Sequence, residues 1–175
     1  MMFEPLYRDV SIDLYLGVSL VTSDDALYRE LLPEMDALTI PVFEFSELCI
    51  RKRGGFLPHG AVLTGYGQIV LVGASVAGAT TDTLASPAHL LPTLHEGLRE
   101  TTRKRSGVAT AVSEDVTITQ DGERPIQAIK VLFEHKRGLT VALYTPFTKS
   151  IFRGYRFLSM ISKIAKPEVN AWSDS

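Results

Sequence analysis

Apolar and polar residues alternate without a break from Val10 to Leu20. Val10, Ile12, Leu14, Leu16, Val18 and Leu20 stand between Ser11, Asp13, Tyr15, Gly17 and Ser19. A period of two predicts a half-buried strand, with a bend at Gly17. Ser23 before Asp24 and Asp25 reads as a helix N-cap with carboxylates at the positive helix end. Leu27, Leu31 and Leu32 give the apolar stripe, and Pro33 predicts that this helix is short. Thr39 to Arg51 is rich in β-branched and aromatic residues and reads as a strand, with Glu44 and Glu47 out of step as at a bulge.

Ala61 to Thr64 and Gln68 to Val72 are apolar runs around Gly65-Tyr66-Gly67, the pattern of a hairpin. Gly73 to Ser86 is a run of small residues and reads as a long loop. Ser86-Pro87 opens a second helix whose apolar face is Leu91, Leu94 and Leu98, with Pro92 awkwardly placed and Gly107 as the stop. Val108 to Val112, Val116 to Thr119, Ile126 to Phe133 and Leu139 to Tyr144 are strand-like. Their short links predict an antiparallel meander. Ile151, Tyr155, Leu158, Ile161 and Ile164 recur at helical spacing after Thr148, which predicts a final helix stopped by Pro167.

The expected fold is therefore α+β: a mainly antiparallel sheet of about six to eight strands with three helices packed on it, in the order β-α-βββ-α-βββ-α. The alternative is an α/β nucleotide-binding domain. Residues 1–166 read as one domain and residues 167–175 as a polar tail holding Trp172.

The chain has 175 residues and a formal charge of −2. That small total hides an asymmetry. Residues 1–50 carry two basic and ten acidic residues, and residues 51–175 carry the other sixteen basic and ten acidic. Such an imbalance favours attraction between the two halves, within one fold or across a homodimer. Two Arg-Lys-Arg triplets occur, at 51–53 and 103–105. No apolar run approaches the length of a bilayer span, and a single cysteine, Cys49, suits a reducing compartment, so a cytoplasmic protein is expected.

Candidate chemistry is sparse. Val70 to Thr80 runs from an apolar strand into a small-residue turn, where bare backbone N–H groups can meet an anion. Gly73, Ser75, Gly78 and Thr80 are the candidate ligand-binding residues there. Ala79 stands where a phosphate-binding loop needs lysine, and the middle glycine of a dinucleotide fingerprint is missing. His59, His89, His95 and His135 show no metal-ligand spacing, so neither metal nor cofactor is expected. His59, between Pro58 and Gly60, is the candidate general base. Lys149, Arg153, Arg156 and Lys163 would form one basic stripe on the final helix, suited to a phosphate backbone or an anionic membrane.

Three functions follow from the sequence. The favoured one is a binding module that holds a protein partner or small ligand as a homodimer. The second is a small hydrolase or transferase using His59 and the 73–86 loop. The third is a nucleic-acid or membrane surface binder working through the basic stripe, which the net negative charge disfavours.

Overall fold

The structure is a computed structural model and describes residues 8–11, 23–73, 87–119 and 124–173. The order of elements is β1 (Arg8–Ser11), α1 (Ser23–Arg53), β2 (His59–Thr64), β3 (Ile69–Gly73), α2 (Pro87–Arg105), β4 (Gly107–Thr119), β5 (Ile126–His135), β6 (Thr140–Ser150), β7 (Gly154–Phe157) and β8 (Ile161–Ile164). All eight strands belong to one sheet, with neighbours β3-β2-β4-β5-β6-β7. Strands β2 to β8 pair antiparallel, and β1 runs parallel to the end of β4. The α+β class and the antiparallel sheet stand.

The predicted order needs two corrections. The first concerns residues 39–51, which are helix and not strand. Leu31, Met35, Leu38, Val42, Ser46 and Ile50 are all buried, and they recur every three or four residues. That is the period of a helix face. Pro33 and Pro41 lie inside α1 and do not end it. Each removes a backbone hydrogen bond at a cost of about 3 kcal/mol. Pro33 is exposed on the outer side, where water can take the freed carbonyl. Burial of the inner face outweighs both.

The second correction concerns the final helix, which is a pair of strands. Strand β6 runs to Ser150, the chain turns, and β7 returns with Phe147 opposite Phe157 and Ser150 opposite Gly154. Gly154 has φ +69°, a left-handed conformation that glycine adopts freely. The helical spacing of apolar residues there traces no buried face: Ile151 is 94% exposed. Among the described residues the chain thus has two helices. The predicted N-terminal strand is described only as β1, and its continuation from Ile12 to Leu20 lies outside the described residues, as does the 74–86 loop.

Side-chain alternation assigns the two helices to opposite faces of the sheet. Helix α1 packs on Ala61, Leu63, Ala109, Ala111, Ile129, Val131, Phe133, Val141 and Leu143. Helix α2 packs through Leu94 and Leu98 on Val62 and Val112. Gly60 permits that second contact, because a Cβ there would stand 3.2 Å from Leu98 and 2.5 Å from the Ala111 carbonyl oxygen. The C-terminal segment returns to the α2 face. Val169 is fully buried in the same cluster, and Trp172 Nε1 donates to the Gly107 carbonyl at 3.2 Å. Glu134 accepts the backbone N–H groups of Glu168, Val169 and Asn170 at 2.6, 2.6 and 3.0 Å.

Part of the charge asymmetry is resolved inside the chain. Arg137 donates to both carboxylate oxygens of Glu30, at 2.6 and 3.0 Å. His135 Nε2 lies 3.2 Å from Glu34. Acids of the first half thus meet bases of the second across the α1–sheet interface.

Candidate functional site

Two regions flank α1, and the sequence pointed to one of them. On the β2 side, His59 opens β2 directly opposite Ser113 of β4 and Gly73 of β3. Its Nδ1 lies 3.0 Å from the Leu57 carbonyl, and its Nε2 lies 3.3 Å from Ser46 Oγ and 3.4 Å from the Val42 carbonyl. Phe45 and Phe56 meet the imidazole edge-on, with centroids 4.8 and 5.3 Å away. Burial lowers the imidazolium below its ordinary range, and the two carbonyls only partly offset this. Both ring nitrogens therefore face groups of the protein. Ser46 and Ser113, the nearby hydroxyls, are fully buried. The geometry makes this cluster a polar joint between α1 and the sheet.

The remaining predicted positions are dispersed. Gly73 ends β3 at the sheet edge, with open space where a Cβ would stand. Ser75, Gly78 and Thr80 lie outside the described residues. No group of three or more metal-ligating side chains occurs among the described residues. Lys149, Arg153 and Arg156 lie on the β6–β7 hairpin rather than on a helix, with Lys149 and Arg156 on opposite faces of it. Lys163 sits apart on β8, its ammonium 5.6 Å from the Tyr144 ring centroid.

On the other side of α1 lies a groove of about 470 Å³ that sequence reasoning missed. Its floor is Met35, Phe43 and Leu143, all buried. Its walls carry three large apolar side chains left open to solvent: Leu32 and Ile40 from α1, and Met160 from the segment entering β8, the last two each 52% exposed. Asp36, Glu44 and Glu47 line the helix rim, with Thr145 and Ser162 on the sheet side. Among the described residues, none of these three carboxylates forms an ion pair. The signal for this groove was available in the chain: Leu32, Asp36, Ile40, Phe43 and Glu47 recur at helical spacing. It required reading residues 39–51 as helix.

Compared with known proteins, the chain matches no family model, no curated protein and no solved structure. No described helix is long and apolar enough to cross a membrane.

Proposed function

We propose that this protein is a binding module that holds an apolar ligand bearing positive charge, foremost a basic and hydrophobic peptide segment, in the groove between α1 and the β6–β8 edge. The observation that carries this reading is the pairing of an apolar floor with three carboxylates that form no ion pair among the described residues. A groove of this volume suits a short side-chain cluster or a small ligand. Exposed Ile40 and Met160 gain by being covered, at roughly 25 cal/mol per Å² of apolar surface. The carboxylates select the sign of the partner and steer its approach.

The test is calorimetric titration of the full chain with a short peptide of alternating leucine and arginine. Glu44→Gln/Glu47→Gln should weaken binding on the order of tenfold, the equivalent of about 1.4 kcal/mol. Glu96→Gln on α2, remote from the groove, should leave it unchanged. Equal affinity of the double variant and the wild type would refute the reading.

A further inference from the structure

The β6–β7 hairpin ends in an apex where two large apolar side chains lead the surface. Ile151 is 94% exposed and Phe152 is 95% exposed, the most exposed of the large hydrophobic residues described. In water, such a pair at a loop tip has no stabilising role in the fold. Three cations stand immediately around it: Lys149 and Arg156 on the paired strands, and Arg153 in the turn, all exposed. The end of α1 adds three more. Arg51 donates to the Tyr155 carbonyl at 3.4 Å, and its guanidinium lies 4.8 Å over the Phe157 ring. Arg51 is therefore seated beside β7, and Arg51, Lys52 and Arg53 are all exposed. Lys149 is braced against Tyr155, its Nζ 5.4 Å from the ring centroid.

No carboxylate among the described residues pairs with any of these six cations. The nearest acid along α1 is Glu47, one turn before Arg51, and it lines the groove described above. Helix end and hairpin are far apart in sequence, and the fold brings Arg51 against β7, the returning strand of the hairpin whose tip is apolar.

We infer that this hairpin docks the protein on an anionic lipid bilayer, with Ile151 and Phe152 entering the interface and the hairpin's cations, with Arg51 beside them, resting on the headgroups. The two halves of the feature match the two halves of such a surface. Apolar side chains partition into the acyl boundary, and lysine and arginine are drawn to acidic headgroups. A nucleic acid would satisfy the cations but offers Ile151 a phosphate backbone, where an aliphatic side chain gains nothing. Phe147 packs on Tyr155 and Phe157 beneath the tip, with centroids 6.1 and 5.7 Å apart.

The test is co-sedimentation of the full chain with phosphatidylcholine vesicles, with and without about one-third phosphatidylserine, at low and high salt. Binding should require the anionic lipid and fall as salt rises. Ile151→Ser/Phe152→Ser should weaken it by at least about tenfold, because two apolar side chains lose their place in the interface. Arg153→Gln/Arg156→Gln should weaken it on the order of fivefold per cation removed. Thermal melting of each variant should match the wild type, since these side chains are exposed. Absence of binding to anionic vesicles at low salt would overturn the inference. So would binding indifferent to the Ile151/Phe152 change, or tighter binding to duplex DNA than to the vesicles.

Discussion

Ser46 Oγ lies 2.8 Å from Ser113 Oγ, and both side chains are fully buried. This contact joins the last quarter of α1 to the centre of β4. Ser46 Oγ also lies 2.9 Å from the Val42 carbonyl one turn back, which occurs only if residues 42–46 are helical. The pair is thus a direct signature of the helix that the sequence pattern concealed.

Removing the Ser46 hydroxyl leaves the buried Ser113 hydroxyl without a partner among the described residues, whereas removing Ser113 leaves Ser46 its contacts with the Val42 carbonyl and His59. Ser46→Ala should cost about 1–3 kcal/mol and Ser113→Ala less, and the double variant should cost clearly less than their sum. Urea denaturation of the four proteins measures the coupling. Strict additivity would mean that α1 does not seat on β4 as described.

Asp115 lies on the same face of β4, two residues beyond Ser113. Burial pushes its carboxyl from 3.8 up to about 7. Its Oδ1 has no hydrogen-bond partner among the described residues. The unfolded chain releases this proton above pH 3.8, while the folded chain holds it until about pH 7. Across that window the folded state binds more protons, so this residue's contribution to stability falls as pH rises. Asp115→Asn removes the effect. Relative to wild type, the variant should gain melting temperature on going from pH 4 to pH 8, by an amount equivalent to a few kcal/mol. A difference that stays constant with pH would contradict this.

On the α2 face, Lys130 Nζ lies 2.9 Å from Glu114 and 2.8 Å from Glu168, so β4, β5 and the C-terminal segment share one buried charge. Burial works to lower the ammonium pKa, but the two carboxylates outweigh it and hold the pKa above its ordinary value. Lys130→Met removes the cation and leaves the carboxylates facing each other's charge. A loss of about 3–5 kcal/mol is expected, and Lys130→Met/Glu114→Leu should recover part of it. Guanidinium denaturation reads both. An unchanged midpoint for Lys130→Met would show that the cluster contributes nothing.

The parts legible in the sequence were those with one dominant local signal. Gly65-Tyr66-Gly67 between two apolar runs is the β2–β3 hairpin, and Gly67 indeed has φ +78°. Pro87 opens α2, and the turn at Lys136-Arg137-Gly138 closes β5 onto β6 with Gly138 at φ +90°. The two misread stretches carry apolar residues on both the inner and outer sides. In α1, exposed Ile40, Phe45 and Leu48 fill the positions between the buried ones and erase the helical period. Those extra residues are the groove wall at Ile40 and the His59 contact at Phe45, so the features that obscured the fold belong to its surfaces and joints. In the β6–β7 hairpin, exposed Ile151 mimics a helix stripe, and Gly154 was the available clue to a turn. No local pattern could place Arg51 against Tyr155 and Phe157, because that neighbourhood exists only in the fold.

The most direct measurement of the binding claim uses the methionines. The chain has four, and two of them, Met35 and Met160, line the groove from its floor and its wall. With methyl-labelled methionine, the signals of Met35 and Met160 can be assigned by Met35→Leu and Met160→Leu. Titration with the leucine–arginine peptide should then shift both, in proportion to the bound fraction found by calorimetry. Peptide binding that leaves both methyl signals in place would put the ligand elsewhere and contradict the account.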